Sequence, residues 1–335
     1  MTINPREIFA QRLAGRLNPP RAAEARAPAN IALAKYWGKR DKALNLPMNS
    51  SLSISLARWG TRTRIAPSDR DQLHFNGQAL STDDPAAKRI WEFVNLYRQG
   101  LEAPLAIETD NTIPTAAGLA SSASGFAALT RALDIAFASN LALETLSELA
   151  RFGSGSATRS FWHGFVRWDR GAQADGSDSF ARSLPQDWPE FRIALLPVDT
   201  GPKAQSSRQG MGHTLKTSPL YTAWPDRAEA DCAEVEAQIK ARDFNALGRI
   251  VEANALAMHA TMLAARPALS YLQPSSWSLL ERLWIARSEG LEAYATADAG
   301  PNIKLIFLAE SQADVLQRFS EAKVVAPFDV SGGNI

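Results

Sequence analysis

One cysteine, Cys232, stands among 335 residues. An internal disulfide is therefore excluded, and a reducing compartment fits. Four scattered histidines beside one thiol are poor material for a zinc site. No apolar run approaches the ~18 residues that would span a bilayer. There is no secretory core segment. The N-terminal arginines Arg6, Arg12, Arg16, Arg21 and Arg26 lack the serines of a transit peptide, and Glu7 and Glu24 intrude. The cytoplasm is the expected compartment. A formal net charge of +1 gives no reason to expect nucleic acid or an anionic membrane as a partner. Internal repeats and low-complexity tracts are also missing.

The chain is long enough for two domains or one with two lobes. A loosely attached helix is expected from Pro5 to Leu17. Strands are expected at Asn30–Leu33, Leu52–Ser55, Thr61–Ile65 and Leu105–Thr109, with a hairpin turning at Asn76-Gly77. Helical spacing marks Asp84–Tyr97, Gly125–Ala136 and Leu141–Phe152. Pro185–Pro189 reads as a connector. Beyond it come a buried strand at Phe191–Val198 and helical patterning over Asp231–Leu263 with a break near Asp243. Strands at Gly290–Thr296 and Lys304–Leu308 and a helix at Ala313–Phe319 close the chain. Strands and helices alternate without a βαβ period, which argues for an α+β fold.

The run Pro114–Ser124 carries the most chemistry. Gly118, Leu119, Ala120, Ser121, Ser122 and Ser124 form a small-residue loop that enters an apolar helix. Small side chains admit a ligand close to the backbone. The helix amino end then offers free N–H groups and a positive dipole, which suits a nucleotide phosphate. An ordinary capped helix has the same composition. It is not a Walker loop, because no Gly-Lys-Ser/Thr follows.

Four further segments stand out. Lys35, Tyr36 and Lys39 follow an apolar strand. Ser154, Gly155 and Ser156 precede Arg159, giving hydroxyls, backbone N–H groups and a forked cation. Ser207, Arg208 and Met211 lie in another hydroxyl-and-arginine run. Asp298 sits in a Gly-Pro-Asn turn between two strands. Each alone also reads as a solvated lysine, a flexible loop or a surface turn. Together they equip the chain for two polyphosphates, with a carboxylate that can accept a hydroxyl proton.

The glycine loop resembles the phosphate motif of the GHMP kinase superfamily. Within that superfamily the chain closely resembles the mevalonate diphosphate decarboxylase family. The matching runs are 30–41 with 46–51, 113–125, 153–160 with 164–166, 206–211 with 217–219, 258–262 and 298–302, all in family order. The resemblance implies a two-lobed α+β fold with the active site in the cleft between lobes. An N-terminal extension would cover 1–20, an ATP-binding domain 21–190 and a second α+β domain 191–335. It further implies ATP and Mg²⁺, a homodimer, and decarboxylation of mevalonate 5-diphosphate to isopentenyl diphosphate. Asp298 would be base or orienter at the tertiary hydroxyl, with Lys35 beside it and Arg159 on the substrate carboxylate. Tyr36, Lys39, Ser154, Ser156, Ser207 and Arg208 would hold the diphosphate, with Gly155 and Met211 adjoining. The 118–124 loop would hold ATP. No side chain is assigned as a metal ligand. Ala297, Thr158 and Met48 depart from the family pattern without removing a charged group. The alternatives are an enzyme acting on the 5-phosphate, a mevalonate 3-kinase, and a non-catalytic nucleotide-binding protein.

Overall fold

The computed structural model describes residues 4–112, 122–199, 201 and 205–329. Strands run, in order, β1 (Ala23–Ala34), β2 (Lys39–Asp41), β3 (Leu46–Pro47), β4 (Ser51–Pro67), β5 (Gln72–Phe75), β6 (Gln78–Ala79), β7 (Leu105–Asn111), β8 (Phe165–Trp168), β9 (Ala181–Ser183), β10 (Phe191–Leu196), β11 (Ala293–Ala297), β12 (Ile303–Leu308) and β13 (Lys323–Val325). The helices are α1 (Pro5–Leu13), α2 (Pro85–Arg98), α3 (Ser122–Ala136), α4 (Leu143–Gly153), α5 (Ser207–Thr217), α6 (Trp224–Ala241), α7 (Phe244–Leu263), α8 (Pro274–Ser288) and α9 (Gln312–Arg318).

Strand β4 organises the first half. Thr61, Thr63 and Ile65 point inward, while Arg62 and Arg64 point out to Asp110 on β7. The sequence suggested two strands here, but the chain runs through Gly60 without a break. A side chain at Gly60 would strike the Ala27 carbonyl of β1 at 2.0 Å. Glycine is thus present for close approach rather than for a turn. The sheet runs β6-β5-β7-β4-β8-β9, with β1 also on β4; only β5–β7 is parallel. Helix α3 lies across β1 and β4, and its buried alanines 123, 127, 128 and 132 permit that approach.

The second half carries the antiparallel sheet β11-β12-β10-β13. Helices α7 and α8 rest on it. Asp243 caps α7 by accepting from the Ala246 N–H, which explains the expected break. One apolar cluster joins the halves, running from Ile31 and Ile54 through Leu195 and Leu247 to Leu305. Cys232 on α6 is fully buried within it.

The structure bears on three local readings, and corrects the first. Helix α1 is not loose: Phe9 is fully buried against Phe93, Tyr97 and Phe152. The Pro185–Pro189 connector is a loop, anchored by buried Trp188, which stacks edge-on to Phe191 at 5.7 Å. The 206–211 run is the start of α5 rather than a surface turn. Helix α8 had no counterpart in the sequence reading. Among the described residues no helix is long and apolar enough to cross a membrane.

Candidate active site

Asp298 leaves the end of β11 and projects into a cleft of about 550 Å³ between the two halves. Lys35, at the end of β1, donates to one carboxylate oxygen at 2.8 Å. Lys304, on β12, donates to the other at 3.0 Å. Both lysines are buried, at 2% and 3% exposure, whereas 38% of the Asp298 side chain is open. Desolvation opposes the carboxylate charge, but Lys304 and Lys35 outweigh it and hold Asp298 well below the usual carboxylate range. Burial lowers Lys35, and Asp298 opposes that shift.

The main chain at Lys35 is clamped from both sides. Its N–H donates to Asn254 Oδ1 at 2.8 Å, and its carbonyl accepts from Asn49 Nδ2 at 2.8 Å. Asn254 in turn donates to Asp231, which pairs with Arg227. Lys35 Nζ also donates to the Ala32 carbonyl at 2.8 Å. These partners fix where the ammonium group sits. Nearby His259 is buried and pushed down to about 4, first by burial and then by Lys35, so it is neutral at pH 7.

Arg159 ends a short 3-10 turn, Gly155–Arg159, that follows α4. It is 2% exposed, donates to Ser51 Oγ and lies 5.8 Å from the Trp168 ring centroid. Its Nε has no hydrogen-bond partner and it makes no ion pair among the described residues. Burial pulls it down to about 10, which still leaves it charged at pH 7. A buried cation without an anion is expensive unless a ligand supplies one.

The other end of the cleft is basic. Lys39 on β2, Arg89 on α2 and Arg208 near the start of α5 line it. Burial and then Arg208, Arg89 and Lys42 push Lys39 down to about 8. Burial and Arg208 bring Arg89 to about 10. Ser206 and Gln209 form a capping box at the α5 start. That leaves Ser207 and Arg208 at the positive end of the helix. Tyr36 stacks edge-on to Trp168, and its hydroxyl has no partner among the described residues. Gly155 is required where it is: a Cβ would meet the Tyr36 ring at 2.9 Å. Ser154 and Ser156 share a hydrogen bond of 3.2 Å, and Met211 completes this wall.

Gly118, Leu119, Ala120 and Ser121 lie outside the described residues. Ser122 borders the cleft at the start of α3. Ser124 faces Thr61 on β4 at 2.8 Å and is fully buried, so its hydroxyl is directed into the fold. The sequence reading missed Lys304, Arg89 and Ser51. Lys304 had a signal: one charge inside the apolar run Ile-Lys-Leu-Ile-Phe-Leu.

Residues 27–181 match the diphosphomevalonate decarboxylase-like N-terminal domain. Residues 193–327 match the mevalonate 5-diphosphate decarboxylase C-terminal domain.

The chain belongs to the diphosphomevalonate decarboxylase family.

It is 38% identical over 317 residues to the diphosphomevalonate decarboxylase of Eremothecium gossypii, covering 87% of this chain and 79% of that protein. It is similar to a solved complex of MDDEF with MVAPP, AMPPCP and magnesium at 39% identity and a TM-score of 0.85, covering 91% of this chain and 97% of that one. It also resembles the Staphylococcus aureus mevalonate diphosphate decarboxylase, at 36% identity and a TM-score of 0.86, covering 91% and 95%. The α+β, GHMP-kinase-like fold expected from the sequence is the fold of this decarboxylase family.

Magnesium can be tested against the donors present. Among the described residues no group of three or more His, Cys, Asp or Glu side chains is placed to hold a metal, and both Asp298 oxygens are engaged by lysines. What the described residues present to the cleft is a set of basic side chains and no carboxylate cage.

Proposed function

We propose that this chain converts mevalonate 5-diphosphate and ATP into isopentenyl diphosphate, carbon dioxide, ADP and phosphate. The carrying observation is the cleft's charge pattern: one lysine-held carboxylate, a buried arginine that makes no ion pair among the described residues, and a basic far wall. Hydroxide is a poor leaving group. The γ-phosphoryl group therefore passes from ATP to the tertiary hydroxyl oxygen, whose proton is released as the new bond forms and ends on phosphate or water, and that carbon–oxygen bond then breaks with phosphate leaving. The bond to the carboxylate breaks as carbon dioxide departs, and its electron pair forms the alkene.

In this reading Asp298 acts at the tertiary hydroxyl, as base or orienter, from the turn after β11. Lys35 keeps the carboxylate in place. Arg159 holds the substrate carboxylate opposite, which gives it the anion it lacks among the described residues. Tyr36, Lys39, Ser154, Ser156, Ser207 and Arg208 hold the diphosphate, with Gly155 and Met211 shaping the wall. Ser122 and residues 118–121 before it would hold ATP. Magnesium, carried with the nucleotide, would offset charge on the transferring group. We also read the chain as a cytoplasmic homodimer; one cysteine and the family likeness support this, and sedimentation at working concentration tests the dimer.

The deciding assay offers ATP, Mg²⁺ and, in turn, mevalonate, its 5-phosphate and its 5-diphosphate. The expected result is carbon dioxide and phosphate released in equal amounts from the diphosphate. Phosphorylated product without carbon dioxide would leave a kinase. Turnover of the monophosphate alone would move the substrate assignment.

A further inference from the structure

Lys304 occupies an unusual place. It lies within β12 between Ile303 and Leu305, both fully buried, and pairs in register with Thr296 on β11 and Leu195 on β10. Lysine is among the side chains least often buried completely. Its observed ion pair is with Asp298, a residue that already has Lys35 and keeps 38% of its side chain open. A plain turn aspartate at a surface needs no second buried cation. The groups around Asp298 are Lys35 at the end of β1, Lys304 on β12, His259 on α7 and Arg159 on the 3-10 turn. With His259 neutral, that makes three cations to one anion.

The geometry has a consequence for the proton. A carboxylate offers about four lone-pair positions on two oxygens. One lysine on each oxygen fixes the carboxylate plane and leaves the remaining positions for a hydroxyl donor. We propose that Lys304 is a positioning residue that, with Lys35, holds Asp298 as a fixed anion, so that Asp298 orients the reacting hydroxyl instead of taking its proton before phosphoryl transfer. This rests on the decarboxylase reading for its substrate, but the state of Asp298 is measurable without substrate.

Lys304→Met is the test, with Lys304→Arg as the charge-keeping control. In the ligand-free protein, the Asp298 carboxyl carbon is followed by NMR and assigned by its loss in Asp298→Asn. Removing a cation at 3.0 Å should raise its titration midpoint by about one to three pH units. The acid limb of kcat should move upward with it. Turnover should fall roughly ten- to hundredfold, the scale of a misplaced catalytic group, while KM for ATP stays nearly constant. Lys304→Arg should keep part of the activity that Lys304→Met loses. An unmoved midpoint, or an unchanged kcat with an unchanged acid limb, overturns the proposal and leaves Lys304 as a structural partner. If the Met variant does not fold, Lys304→Gln gives the same readouts. A wild-type protein that makes no carbon dioxide defeats the decarboxylase reading, while the carboxyl titration still decides the role of Lys304.

Discussion

At the Asp298 end of the cleft, charge is arranged in contacts. Lys35 and Lys304 sit at 2.8 and 3.0 Å from one carboxylate, and the Lys35 backbone is itself pinned by Asn254 and Asn49. At the other end Lys39, Arg89 and Arg208 face one another without ion pairs among the described residues, and each lowers its neighbours' hold on a proton or feels the same effect. The first arrangement fixes directions. The second stores repulsion that an anion relieves. Mutations at the first end should therefore appear in kcat and those at the second in KM.

The strongest test of this division is Asp298→Asn. It keeps the turn but removes the anion that orients the hydroxyl and pairs both buried lysines, so kcat should fall by at least about 10³, with both substrates still bound. Turnover within a few-fold of wild type would reduce Asp298 to a turn residue. Next comes Arg159→Ala, which removes the cation assigned to the departing carboxylate. It should cost about 10²–10³ in kcat, as for loss of one preorganised donor in a dry site. A change confined to KM would move Arg159 to the binding end.

Smaller effects are expected on the basic wall. Arg208→Ala should weaken diphosphate binding by ~1.5–3 kcal/mol with kcat nearly kept, measured as KM and by calorimetry without ATP. The smallest effect is a pH dependence at Lys39. Burial and its cationic neighbours bring it to about 8, so its charge is present below that pH and lost above it. KM for the diphosphate should rise about three- to tenfold between pH 7 and 9, and Lys39→Arg should flatten that rise. A flat wild-type profile would show that Lys39 stays clear of the diphosphate.

Much of this cleft was legible because its residues break local pattern. Lys35 follows an apolar strand, Asp298 interrupts two strands, and Arg159 ends a Gly-Ser run. Lys304 was equally anomalous, but strand reading asks only whether neighbours are apolar and lets one charge pass as an edge. Arg89 gave no signal. On α2 it looks like any solvent-facing arginine. It turns inward only because α4 presents the Gly153 carbonyl to it and Phe126 lies 4.8 Å beneath its guanidinium. Helix α1 was underrated for a related reason. Four apolar residues in nine, only three of them buried, make a weak stripe, yet Phe9 meets three aromatic rings from two other helices. Such burial depends on partners distant in sequence, which periodicity does not see.

Cys232 gives the experimenter a clean background. Its thiol is fully buried on α6 and burial pushes it up to about 12, so at neutral pH it offers almost no thiolate and no access to a reagent. The folded chain is therefore close to blank toward maleimides and spin labels without any native residue being changed. A single cysteine introduced at the exposed rim, for example at Lys216 on α5, would be the one fast-reacting thiol. Its labelling rate and probe mobility, with and without each substrate, would report how the α5 wall answers to ligand at one defined point.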